Sequence, residues 1–185
     1  MTGSVIAVDS LEKSYGSVRA VDAISFEVEE GEIFGVVGPN GAGKTTTIEC
    51  LEGLRAPDGG QIRVLGLDPH RDGYALRERI GAQLQESALP ARLRVGEAMR
   101  LFASFYTRPL EPEVVLEGLG LADRKNVAYA NLSGGQKQRL SIALALVGDP
   151  QLVFFDELTS GLDPQARHAT WDLSATCEPR ERRSS

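Results

Sequence analysis

The sequence predicts an α/β fold with an N-terminal antiparallel β subdomain and a helical insertion in its second half. Three observations carry this prediction. Ile24, Phe26 and Val28 alternate with Ser25, Glu27 and Glu29, the period-2 pattern of a strand buried on one face. A continuous apolar run, Ile33-Phe34-Gly35-Val36-Val37, leads into a glycine-rich turn and then a helical stretch. Between about residues 86 and 147 the apolar positions fall at helical spacing instead.

In chain order, Val5, Ile6 and Val8 predict the partner strand of residues 24–28. Glu30-Gly31-Glu32 turns the chain into residues 33–37, whose unbroken apolar character predicts a strand buried on both faces. A helix is predicted over residues 43–54. Pro57-Asp58-Gly59-Gly60 ends that unit, and residues 61–65 read as a further strand. From residue 86 to 130 helices are expected, with Leu101, Phe102 and Phe105 on one stripe and Pro112 opening a second helix that runs to Leu119. Leu140, Ala143, Leu144 and Val147 mark a third helix by their i, i+3, i+4, i+7 spacing. Leu152-Val153-Phe154-Phe155 predicts another buried strand. Asp163-Pro164 begins a last helix, with an N-cap and a proline at its first position.

The 185 residues suit one domain. With 42% hydrophobic and 25% charged residues, the composition is that of a globular chain. A net charge of −6 argues against non-specific nucleic-acid binding, which needs a basic surface. Cys50 and Cys177 form neither a disulfide framework nor a metal-ligand spacing, as expected in a reducing compartment. No apolar run approaches the roughly 20 residues that cross a bilayer. The N-terminus lacks the basic and apolar regions of a signal peptide. A role at a membrane would therefore require a partner.

Gly38-Pro39-Asn40-Gly41-Ala42-Gly43-Lys44-Thr45 matches the phosphate-binding P-loop pattern at every fixed position, and it lies between an apolar run and a helix. Its glycines permit close backbone approach, so that successive N–H groups can surround a phosphate. Lys44 supplies charge to the β- and γ-phosphates, Thr45 a hydroxyl to Mg²⁺, and Thr46 joins the nucleotide contacts. Asp156-Glu157 ends the apolar run at 152–155. An acid there suits a Mg²⁺ held through water at Asp156, with Glu157 as general base toward the attacking water. Taken alone, the pair also fits an exposed strand end.

Asn131-Leu132-Ser133-Gly134-Gly135-Gln136 reads first as a capping box, with Ser133 as N-cap and Gln136 three residues on. Gly134 and Gly135 leave the N-terminus of that helix bare, so that its N–H groups and the Ser133 hydroxyl can reach an anion. This sextet, behind the P-loop and Asp156-Glu157, resembles the signature of ATP-binding cassette (ABC) transporter ATPases. The resemblance covers residues 4–173.

The resemblance implies a P-loop NTPase core, ATP and Mg²⁺ as cofactors, and a head-to-tail dimer, with an identical or related subunit, in which Ser133, Gly134, Gly135 and Gln136 meet the ATP held by the other subunit. It implies adenine stacking on Tyr15, in Lys13-Ser14-Tyr15-Gly16. Gln85 matches a glutamine that senses Mg²⁺ and the γ-phosphate and relays that state to a membrane subunit. Ser160-Gly161-Leu162-Asp163 matches the D-loop, although Asp163 also serves as a helix N-cap. Leu158 stands where the family has proline. Residues 45–48 and 83–105 look most like subunits of bacterial drug or lipid exporters. The expected location is cytoplasmic, at the inner face of the cell membrane through the membrane partner. A soluble member acting on DNA or ribosomes is disfavoured, because too few residues separate Gln85 from Ser133 for an inserted coiled coil.

The pattern breaks near the C-terminus. Too little chain follows Asp163 for the strand and switch histidine that the resemblance implies. His70 precedes the helical region and His168 falls inside the Asp163 helix, so both are expected to be solvated surface groups. Residues 174–185, with Pro179 and a charge cluster, predict disorder, and a shift of reading frame near Leu173 is the expected origin. The sequence thus predicts a cassette over 1–173 with an incomplete C-terminal part of its core, an aberrant tail and low solubility. An alternative for such a truncated chain is weak nucleotide binding without turnover.

Overall fold

A computed structural model describes residues 3–83 and 89–155 of the protein. The chain divides into two compact units, Met1–Ala82 and Gln83–Ser185.

In the first unit, β1 (Ser4–Tyr15) and β2 (Val18–Glu29) form an antiparallel hairpin, and β3 (Gly59–Val64) pairs antiparallel with β1 on its other side. Val8 stands opposite both Phe26 and Ile62, so the alternation read in the sequence fixes the face that is buried. Ile6, Val8, Leu11, Val28, Ile62 and Val64 supply that core. Helix α1 (Lys44–Leu51) packs on β2 and β3 through Thr47, Cys50 and Leu51, at the i, i+3, i+4 spacing of a single helix face. It stops short of the expected residue 54 because Gly53 takes φ +71 and the N–H groups of Leu54 and Arg55 both turn back to the Glu49 carbonyl. A short helix α2 (Gly73–Arg77) follows, burying Leu76, and then β4 (Ile80–Gln83). Five residues are too few for a helical period to register, and α2 was not expected.

Residues 33–37 correct an expectation. They form no strand, and Ile33 and Val37 are 74% and 91% exposed. A strand buried on both faces needs neighbours on each side, and none pairs with this run among the described residues. Its one ring contact is Phe34 stacked on Phe26, with centroids 5.1 Å apart and planes 7° from parallel.

The second unit contains α3 (Val95–Ala103), α4 (Pro112–Gly118), α5 (Gly134–Leu146) and β5 (Leu152–Phe155), with two 3-10 turns at Ala122–Arg124 and Tyr129–Asn131. Pro112 opens α4 as expected, and Leu140, Ala143, Leu144 and Val147 are all buried. The expected stripe on α3 needs correction. Leu101 and Phe105 are exposed, and the inward face carries Val95, Ala98, Met99 and the partly buried Phe102. The helix ends at Ala103, so the apparent spacing from Leu101 to Phe105 runs past its last turn. In β5 only Phe154 is buried; Leu152, Val153 and Phe155 are half-buried. The expected burial on both faces is therefore met at one residue.

Candidate nucleotide site

The loop at 38–45 is built around two glycines in the left-handed region, Gly41 at φ +82 and Gly43 at φ +83. At Gly43 the requirement is doubly set. A Cβ there would fall within 3.0 Å of the Ala20 backbone carbonyl on β2, so no other residue fits without moving the strand. Ala42 N–H donates to the Pro39 carbonyl at 3.2 Å, closing the turn. Lys44 folds back so that its Nζ donates to the carbonyl oxygens of Gly38 (2.9 Å) and Pro39 (3.0 Å). The cation is thereby held against the loop's own backbone.

Helix α1 begins at Lys44 with no side-chain cap and no acidic residue in its first turn. Its first N–H groups and its dipole face outward without a competing carboxylate, the arrangement that receives an anion. Thr47 is buried and its hydroxyl donates to the Gly43 carbonyl at 2.9 Å, while Thr45 is exposed and Thr46 half-buried. Of the three threonines, Thr45 is the one at the surface beside Lys44. These residues fit a polyphosphate: a tight turn whose Gly43 admits no Cβ, an uncapped helix start and a held ammonium. Among the described residues no group of three His, Cys, Asp or Glu side chains could hold a metal ion by itself. A magnesium ion at this site would need phosphate oxygens together with Thr45.

Tyr15 closes β1 and is 42% exposed. Lys13 Nζ lies 5.8 Å and the Arg55 guanidinium 5.3 Å from its ring centroid. Lys13 Nζ and the Ser14 N–H each donate to Asp58, both at 2.7 Å. Together they hold the Asp58 carboxyl below its ordinary value, the Lys13 hydrogen bond being the larger cause. Sequence reasoning missed Lys13, Glu49, Arg55 and Asp58 as supports. Pro57-Asp58-Gly59-Gly60 read only as a terminator, and an acid in a turn gives no sign of what it faces.

In the second unit, Ser133 caps α5 as expected. Gln136 N–H donates to Ser133 Oγ at 3.3 Å, and Ser133 N–H donates to Gln136 Oε1 at 2.9 Å. Gly134 and Gly135 are exposed, and a Cβ on either would meet nothing within 4 Å. The fold of this chain does not itself require glycine there. Ser133, Gly134, Gly135 and Gln136 thus share one helix start, whereas Tyr15 and the loop at 38–45 belong to the other unit. Strand β5 ends at Phe155, directly before Asp156. Gln85, Asp156, Glu157 and Asp163, together with His168 and the tail at 174–185, lie outside the described residues. His70 is exposed, in a turn where its backbone N–H donates to Asp68 Oδ1 at 3.0 Å.

Residues 21–160 match the family model described as ABC transporter. The chain is 42% identical over 178 residues to Nod factor export ATP-binding protein I of Paraburkholderia xenovorans (strain LB400), covering 93% of this chain and 58% of that protein. It is 39% identical over 177 residues to daunorubicin resistance ATP-binding protein DrrA3 of Streptomyces coeruleorubidus, covering 93% and 56%. Among solved structures it resembles an ATP-binding subunit of an ABC transporter (TM-score 0.81, 29% identity, covering 93% of this chain and 74% of that one). It also resembles cbiO1 from Clostridium perfringens, part of the ABC transporter complex cbiONQ (TM-score 0.76, 28% identity, covering 94% and 73%). The chain belongs to the ABC transporter family of ATP-binding domains, and its fold is that of a P-loop NTPase core. It spans a little over half the length of these two curated relatives.

Proposed function

We propose that the chain is the ATP-binding subunit of an ABC exporter, which binds and hydrolyses Mg-ATP to drive a membrane partner at the inner face of the cell membrane. The observation that carries this reading is the loop at 38–45, with Gly43 locked against Ala20 and Lys44 held at the uncapped start of α1. In this reading Gly38, Pro39, Asn40, Gly41, Ala42 and Gly43 present backbone N–H groups or shape the turn around the β-phosphate. Lys44 exchanges its two loop carbonyls for phosphate oxygens, and Thr45 and Thr46 stand beside it. Tyr15 stacks on adenine.

Asp156, Thr45 and Gln85 hold or sense Mg²⁺, which when bound neutralises charge on the phosphates. Glu157 takes the proton of the attacking water, and Asp163 lies at the subunit contact. Ser133, Gly134, Gly135 and Gln136 reach the nucleotide of a second subunit, identical or related, in a head-to-tail dimer. The open space at Gly134 and Gly135 supports this, since it leaves room for an outside group to approach the helix N-terminus. The similarity to a Nod factor export ATP-binding protein supports the direction of transport. Among the described residues no helix is long and apolar enough to cross a membrane, in keeping with a separate membrane subunit.

The exposure of Ile33 and Val37 favours a second reading for the chain by itself, in which nucleotide is held weakly without turnover. Steady-state ATPase activity with Glu157→Gln as control separates the two. Turnover that the substitution abolishes supports the hydrolysing subunit. A folded chain that binds ATP but turns over none in either form supports the second reading.

A further inference from the structure

A tyrosine at the end of an exposed hairpin strand would ordinarily be free to change rotamer. Tyr15 is instead flanked by two cations, Arg55 at 5.3 Å and Lys13 at 5.8 Å from its ring centroid, both within cation–π range. Two like charges beside one ring repel unless each is offset. Here each has its own carboxylate. Lys13 Nζ donates to Asp58 Oδ1 at 2.7 Å, and Arg55 Nε donates to Glu49 Oε2 at 2.6 Å.

The two anchors differ in what they connect. Lys13 and Asp58 tie β1 to the turn that begins β3. Arg55 is bound twice to Glu49, by the side-chain pair and by its N–H to the Glu49 carbonyl at 3.1 Å. Glu49 belongs to α1, whose first residue is Lys44. At 1.5 Å rise per residue, Glu49 stands about 7.5 Å along the axis from Lys44. One rigid helix therefore carries the phosphate loop at its start and, near its end, Glu49, which anchors the Arg55 that flanks Tyr15. The planar guanidinium can stack on the ring as an ammonium cannot.

We propose that Arg55, held by Glu49, is the positioning residue for the base platform, setting the plane of Tyr15 relative to the phosphate loop and thereby the tightness of base stacking. This rests on the reading of Tyr15 as that platform. Arg55 contacts the Tyr15 ring and Glu49, so its effect is expected on ligands that carry a base.

Calorimetric titration with Mg-ATP and with magnesium tripolyphosphate, which has the phosphates but no base, tests the assignment. Arg55→Ala is expected to weaken ATP binding about fivefold, equivalent to about 1 kcal/mol, and to leave tripolyphosphate unchanged. Arg55→Lys should recover less than half of the loss, and Glu49→Gln should fall between wild type and Arg55→Ala. In a Tyr15→Ala background, Arg55→Ala should have no further effect. Equal losses for both ligands, or no loss for either, would overturn the role of Arg55. An unaltered ATP affinity in Tyr15→Ala would instead overturn the platform reading, and with it this proposal.

Discussion

The carbonyl oxygen of Ala20, on β2, stands so close to Gly43 that no Cβ could be placed between them. The phosphate loop is thereby braced by the N-terminal sheet, and the residue before Lys44 is fixed by backbone and not by a side chain. Gly43→Ala should lose stability by about 1–3 kcal/mol from the positive φ alone, with more from the collision. Urea unfolding would measure the first effect, and nucleotide titration should find binding lost. A Gly43→Ala chain with wild-type midpoint and affinity would show that the loop does not depend on this contact.

Gly135 makes the opposite case. It sits in α5 with open space around it and no positive φ. Gly135→Ala should leave stability unchanged or raise it by about 0.5–1 kcal/mol, since alanine is the better helix former. ATP turnover should nevertheless fall at least tenfold, because the added methyl covers the N–H groups offered to the second subunit's nucleotide. A thermal melt paired with an ATPase assay checks both halves. Stability gained with full turnover would remove the glycine pair from the site.

Much of this was legible in the sequence. The capping box at Ser133 has fixed spacing and a local physical cause and takes the expected form, while the loop at 38–45 leads into the expected helix without the expected strand before it. The alternation around Phe26 gave the hairpin, because a period of two has one reading. What was not legible depends on neighbours distant in the chain. Residues 33–37 have the composition of a buried strand, yet burial requires partners that the run cannot specify. The stripe assigned to Leu101 and Phe105 failed because a helix end after Ala103 leaves little mark in an apolar segment. The clamp around Tyr15 joins Lys13 on β1, Glu49 on α1, and Arg55 and Asp58 in the segment between α1 and β3, and each alone reads as surface charge.

The Asp58 clamp carries a pH signature. Its carboxyl lies below the ordinary value of 3.8 because Lys13 and then the Ser14 N–H favour the charged form. A carboxyl depressed in the folded state contributes stability above its unfolded value and loses it as pH falls through the lowered one. Wild type should therefore be more stable than Asp58→Asn near neutral pH, and the gap should close as the pH falls below 3.8. Since Asp58 is half exposed, added salt should narrow the gap as well. Denaturation midpoints against pH for the two proteins would show it. A gap that persists unchanged in acid would assign the effect to packing.

The central claim is that residues 38–45 form a working phosphate cradle, and Mg-ATP affinity measured by calorimetry on the folded chain and on Lys44→Ala tests it most directly. The account predicts saturable binding by the wild type and at least a tenfold loss in the variant, since a held cation is removed from the phosphates. Equal affinity in both, or no binding by a wild type shown to be folded, would contradict it.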